Sequence, residues 1–134
     1  ALHIRRGDYL ISKKTSLFHG NLDISYYLKS VNKMRLKFGN LPVYIFSDDY
    51  KWIKSFIKPL ILDSFIISCS SNSPEEDFFC MTYAKYFILS NSTFSWCAAL
   101  SSFNNRYVIL PEFWFRRMKI NENYIFKKWN YEVI

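Results

Sequence analysis

Pro42-Val43-Tyr44-Ile45-Phe46-Ser47-Asp48-Asp49 is the stretch that decides the fold. Four consecutive apolar residues behind a proline are too short a run for a helix and carry no polar face, so they read as a strand buried on both sides. Ser47-Asp48-Asp49 ends that strand, and its carboxylates can cap a helix running to about Ile57.

Outward from this stretch the same alternation recurs. Residues 1–4 form a short apolar run that ends in Arg5-Arg6-Gly7-Asp8. From Asp23 the pattern turns helical: Ile24, Tyr27, Leu28, Val31 and Phe38 share a face, with Asp23 as N-cap and Gly39 just past the end. Lys29, Lys33 and Lys37 lie on the opposite face, a stripe expected to be solvated. Residues 60–67 are apolar and β-branched, a third strand. Ser73-Pro74-Glu75-Glu76 then has the makings of a capping box, opening a helix apolar enough to expect burial. Residues 86–89 make a fourth strand ending at Ser90-Asn91-Ser92-Thr93, and a helix or turn follows over 94–100. Tyr107–Leu110 is read as the last strand, stopped by Pro111. The tail, 116–134, mixes aromatics with Arg116, Arg117, Lys119, Lys127 and Lys128, and is expected to pack back on the domain as an amphipathic helix.

Composition sets the class. The chain has 134 residues, half of them hydrophobic, with only 3 Gly and 4 Pro, which fits one domain with its own core and excludes collagen-like, linker-like and disordered chains. Its 18 basic against 11 acidic residues give a net charge of +7, which favours phosphate, nucleic acid or an anionic membrane surface as partner. Cys69, Cys80 and Cys97 form no CxxC or His/Cys cluster, so no metal site is expected, and their odd number reads as reduced thiols in a cytosolic setting. There is no signal-peptide pattern and no apolar run near the ~18 residues a membrane span needs. The chain starts without Met, in what reads as mid-strand, and is taken as a fragment.

Strands that are near-continuous apolar runs, alternating with helices, predict an α/β domain with a parallel sheet covered on both faces. In such sheets ligands bind outside the carboxyl ends of the strands. Three polar clusters, Arg5-Arg6-Gly7-Asp8, Ser47-Asp48-Asp49 and Ser90-Asn91-Ser92-Thr93, each follow directly on a strand and so converge on one sheet edge. Arg5 and Arg6 point to opposite faces, one toward a ligand and one bracing the sheet. A guanidinium fork matches a phosphate or pyrophosphate, though an ion pair with Asp8 or Asp48 explains an arginine there equally well. Asn91-Ser92-Thr93 at a helix start forms an anion site, or merely caps the helix. Asp77, in a first helical turn, either answers the helix dipole or accepts N–H bonds from a guanine edge. His3 is a lone strand histidine, of the kind more often hydrogen-bonded than catalytic.

Taken together these motifs resemble a known family. His3-Ile4-Arg5-Arg6-Gly7-Asp8-Tyr9 resembles the HxRRGDY signature of the α-1,2-fucosyltransferases, glycosyltransferase family 11. Phe18-His19-Gly20, Tyr26-Tyr27-Leu28-Lys29, Ile45-Phe46-Ser47-Asp48-Asp49, Asn91-Ser92-Thr93-Phe94-Ser95-Trp96 and Pro111 with Trp114-Phe115 resemble its later blocks in order, over about residues 1–115. Cys97-Ala98 stands where the family usually has Trp and Gly, and Ala84 and Tyr86 replace a common Cys and His, changes that bear on packing around the pocket.

The resemblance implies a Rossmann-like domain with helices on both faces, the C-terminal, donor-binding half of a GT-B glycosyltransferase whose N-terminal acceptor domain is missing. It implies inverting transfer of L-fucose from GDP-β-L-fucose to a hydroxyl of a galactose-terminated glycan or glycolipid, with no metal or other cofactor. Carried over by position, Arg5 holds the pyrophosphate, and His3 and Asp77 contact the nucleoside. Ser92, Thr93 and Phe94, with Asn91, line the phosphate pocket, while Arg6, Asp48 and Asp49 stand near the nucleotide. Asp8 is the candidate base; Tyr9, Trp96 and Trp114 offer faces for sugar packing. By itself the fragment is expected to bind GDP with little or no transfer. The setting expected is bacterial cytoplasm, peripheral at the inner membrane where surface polysaccharide is built, with a Golgi membrane as the alternative.

Two other classes compete. A non-catalytic guanine-nucleotide or basic surface-binding module would use the tail on anionic lipid. A nucleic-acid binder would use the net charge and the aromatics, but the strand-end placement of the clusters argues against it.

Overall fold

The computed structural model describes residues 1–7, 20, 22–69, 71–104, 107–115, 118–121, 123, 125, 127 and 129–134. In chain order they form β1 (Leu2–Ile4), α1 (Ile24–Phe38), β2 (Val43–Ser47), α2 (Tyr50–Trp52), β3 (Ser64–Ile66), α3 (Pro74–Thr82), β4 (Tyr86–Ile88) and α4 (Thr93–Ser101). Then come β5 (Tyr107–Leu110), β6 (Phe113–Phe115), β7 (Met118–Lys119) and β8 (Tyr131–Val133). The main sheet runs β3-β2-β1-β4-β5-β8 with every neighbour parallel; β6 and β7 make a separate antiparallel pair. The order reverses between β1 and β4, the switch point of a doubly wound sheet.

Alternation along each strand supplies a core on both faces. Leu2, Ile4, Ile45, Ile88 and Ile109 pack against Tyr27, Val31 and Met34 of α1 and against Ile53, Ile57 and Ile61. On the other face Phe87, Leu89, Val108 and Leu110 pack on Ala99, Ile125 and Trp129, and Phe46 packs on Met81 and Ala98. Helices on both faces of a parallel sheet, the expected α/β architecture, is what these contacts produce.

Local signals hold at the helix ends. Asp23 caps α1 through a 2.8 Å bond from the Ser25 N–H, and Gly39 follows it at φ +88°. Ser73 and Glu76 complete the capping box of α3, with reciprocal bonds of 3.3 and 2.8 Å.

Four expectations change. The helix begun at Tyr50 widens into a π-helical turn over Ile53–Ile57 and tightens to 3-10 over Lys58–Leu60, where Pro59 removes an N–H donor. The third strand therefore starts at Ser64, after a turn that puts Asp63 at φ 49°, and not at residue 60. Helix α3 is mostly at the surface: Met81 is its buried residue, while Phe79, Cys80 and the following Tyr83 are exposed. The lysine stripe stays solvated as expected: Lys29 and Lys37 are exposed and Lys33 is half-exposed, though Lys33 pairs with Glu132 and Lys37 lies 4.0 Å over the Tyr107 ring. Among the described residues of the tail are the short strands β7 and β8 with a 3-10 residue, a bend and a turn between them, and none is α-helical. β5 is buried at all its positions and needs a partner on each edge, and β8 supplies the outer one. Among the described residues no helix is long and apolar enough to cross a membrane.

Candidate functional site

Beyond the carboxyl ends of β1, β2 and β3 the main chain leaves a cavity of about 470 Å³. His3 and Arg5 come to it from β1, Ser47, Asp48 and Asp49 from β2, Ser68 and Asn72 from the turn after β3, Asp77 from α3 and Phe94 from α4. The site thus lies at the carboxyl ends of the strands, lined by two of the three strand-end clusters, those after β1 and β2, and by Phe94 from beyond the third.

The loop after β1 is held by two aspartates. Asp48 pairs with the Arg5 Nε at 3.2 Å through one oxygen, and its other oxygen accepts the Arg6 N–H at 2.9 Å. A Cβ on Gly7 would stand 3.1 Å from the Asp48 carboxylate, so glycine is what lets the two loops approach. Asp49 caps α2 through the Trp52 N–H at 3.1 Å and pairs with the Arg6 Nε at 3.4 Å. The Arg6 guanidinium lies 3.9 Å over the Trp52 ring. The two arginines divide as the strand period requires: Arg5 lines the cavity while Arg6 braces helix α2. The ion-pair reading of Arg5 holds as well, and a diphosphate would compete with Asp48 for its donors. Both pairs are partly exposed, so their contribution lies in orientation more than in stability.

His3 is buried, bonded through Nδ1 to the Ser90 hydroxyl at 2.8 Å, with its ring 5.4 Å from that of Phe94. Burial, aided by the Arg5 charge, pushes its pKa down to about 3, so the imidazole is neutral at any ordinary pH. Tyr26 of α1 donates to the Leu89 carbonyl at 2.7 Å and fixes the end of β4, and burial raises its phenol well above the usual value.

The residues before α4 separate into different roles. Asn91 does not line the cavity: its amide donates to the carbonyls of Gly20 and Trp114, each at 3.2 Å, tying Gly20 and strand β6 to the end of β4. Ser92 is the N-cap but makes no side-chain cap bond, and Ser95 donates to its carbonyl at 3.1 Å. Of this group Phe94 reaches the cavity. Thr93 opens on a second cavity of about 310 Å³, lined with Trp96, Trp114, Phe115, Met118 and Ile120 among others. Trp96 and Trp114 meet there edge to face at 5.4 Å. Asp8 and Tyr9 lie outside the described residues, as do Phe18, His19, Arg116, Arg117 and Lys128.

Asp77 is held in a hydrogen-bonded cradle that the cluster reading missed. Ser68 donates to one carboxylate oxygen, and Asn72 donates to the other at 3.0 Å. The Cys69 thiol donates to the Asn72 Oδ1 at 2.9 Å, and a bond with Ser71 lowers the pKa of this exposed thiol. Ser68 and Asn72 follow β3 as the other clusters follow their strands, so the same strand-end rule applied to residues 68–73 finds them. Among the described residues no three His, Cys, Asp or Glu side chains form a metal-holding group.

The family model described as Glycosyl transferase family 11 matches residues 1–133. The chain is 35% identical over 123 residues to an alpha-1,2-colitosyltransferase of Escherichia coli, covering 90% of this chain and 42% of that protein. It is 34% identical over 116 residues to the O-antigen biosynthesis glycosyltransferase WbnK of Escherichia coli, covering 86% and 38%. The chain therefore spans about two fifths of the length of these curated relatives. No solved structure matches it.

Proposed function

The chain belongs to glycosyl transferase family 11, and from that premise we propose that it forms the nucleotide-sugar site of a GT-B fucosyltransferase. The reaction is inverting transfer of L-fucose from GDP-β-L-fucose to a galactoside hydroxyl, O2 by family resemblance, on a glycan or glycolipid that other parts of the protein help to hold. The observation that carries this reading is the cavity at the strand ends, lined by both Arg5 and the cradled Asp77.

The chemistry follows from those groups. Departure of GDP builds negative charge on the β-phosphate while the sugar ring takes on positive character. Arg5 is placed to meet that charge from the wall, and the first turn of α4 adds N–H groups that no side chain caps. Donors held in place before the reaction lower the barrier without reorganising, each worth about 2.7–4 kcal/mol in comparable sites. With these donors the reading needs no metal ion or other cofactor. His3, neutral and engaged with Ser90, shapes the wall beside Phe94 and takes no proton. The aromatic cavity on the Thr93 side of α4 offers flat faces for a sugar ring. Asp8 stands as the candidate base.

A colitosyltransferase among the relatives makes colitose, which is L-fucose without its 3-hydroxyl, the competing donor sugar. The O-antigen relative supports a role in surface polysaccharide, and we place the protein in the bacterial cytoplasm, at the inner face of the membrane. Lys33 and Lys37 are already engaged by Glu132 and Tyr107, which weakens the nucleic-acid alternative.

Calorimetric titration of the chain with GDP, ADP and UDP tests the proposal. Saturable binding of GDP alone is expected, weakened about tenfold or more in Arg5→Ala, the loss of a charge-assisted contact. Equal, salt-sensitive binding of all three would replace this reading with a basic-surface module.

A further inference from the structure

We propose that Ser68 and Asn72 set the base selectivity of the cavity. They lock the Asp77 carboxylate so that it accepts two adjacent N–H donors, as guanine alone among the common bases presents them. The inference rests on the donor-site reading above and deepens it.

The hydrogen bonds leave little choice of arrangement. Ser68 is buried, and its hydroxyl oxygen accepts the Ser47 N–H at 2.9 Å. Its single hydrogen goes to one oxygen of Asp77. The Asn72 amide is oriented by its surroundings: its Oδ1 accepts from the Cys69 thiol at 2.9 Å. Its Nδ2 donates to the Ile67 carbonyl at 3.1 Å and to the second Asp77 oxygen at 3.0 Å. Each carboxylate oxygen therefore receives one protein donor. A carboxylate has about four acceptor positions, so the cradle fills one on each oxygen and keeps the plane of the group fixed. Ser68, Asn72 and Asp77 all line the cavity.

Two coplanar acceptors side by side fit a base edge with two parallel donors. Guanine has these at N1 and at its 2-amino group. Hypoxanthine keeps N1–H and lacks the amine. Xanthine puts a carbonyl at position 2, and adenine a lone pair at N1, each facing the carboxylate with like charge. Without Asn72 the carboxylate can swivel, and the second bond is lost while the first survives. Ser68 and Asn72 are thus positioning residues, acting through Asp77.

Titrating the chain with GDP, IDP, XDP and ADP tests this in wild type, Asn72→Ala, Ser68→Ala and Asp77→Asn. Wild type is expected to prefer GDP over IDP by about tenfold or more, one hydrogen bond to a charged group. In Asn72→Ala and in Ser68→Ala that ratio should collapse toward one while IDP affinity holds. Asp77→Asn should move the preference toward XDP, because an amide N–H can meet the 2-carbonyl. Parallel losses for GDP and IDP, or an unchanged ratio in folded variants, would overturn the inference and leave the donor site standing. A wild-type chain that binds no GDP would remove both.

Discussion

His3 hydrogen-bonds to Ser90 in the wall of the cavity, and its imidazole is neutral because burial disfavours the charged form. An unfolded histidine titrates near 6.5. Between that value and about 3 the unfolded chain therefore binds a proton that the folded chain refuses, and stability falls as pH falls. The slope approaches about 1.4 kcal/mol per pH unit once the pH is well below 6.5. Chemical denaturation of wild type and His3→Asn from pH 7 to 4.5 should show the wild-type advantage shrinking steadily on acidification. A constant difference would mean that His3 is not held neutral. At this scale the sequence reading expected a hydrogen-bonded histidine, and the bond is there. Its partner Ser90 lies 87 residues away and was not legible.

Helix α1 shows what an element can carry on its own. Its cap, its apolar face and its terminator are all local, and all were legible from the chain. Gly39 ends it at φ +88° and ψ −177°, a region that residues with a Cβ avoid. A Cβ there would meet nothing within 4 Å, so Gly39→Ala isolates the backbone term. A loss of about 1–3 kcal/mol is expected in denaturant unfolding, with GDP affinity unchanged in the folded variant. Elements whose limits depend on neighbours were less legible. β3 lost the residues before Ser64 to the turns around Pro59 and Asp63. Helix α3 kept its capping box but turned Phe79 and Tyr83 outward, which an apolar composition does not foretell.

The whole molecule depends on how the tail closes the sheet. β8 covers the open edge of β5, Glu132 reaches Lys33 of α1, and Trp129 is buried 4.9 Å from the ring of Trp96. Trp129→Ala should cost about 3–5 kcal/mol, as for a large buried aromatic. Hydrogen exchange should then show protection lost first along Val108–Leu110, whose amides β8 and its approach help to satisfy. Protection lost evenly over the whole sheet would assign the tail a global role in place of this edge. From the sequence by itself came the parallel α/β class, the helix caps and the convergence of strand-end clusters, because strand and helix periods and caps involve residues a few positions apart. Tertiary structure alone decided that Arg5 pairs with Asp48, that Asn91 ties Gly20 and β6 to β4 while Phe94 faces the cavity, and that Ser68 and Asn72 cradle Asp77. It also decided that the end of the tail, β8, joins the sheet as its edge strand. Each of these depends on which distant surface a side chain meets after the sheet has closed, and neighbours along the chain do not encode that.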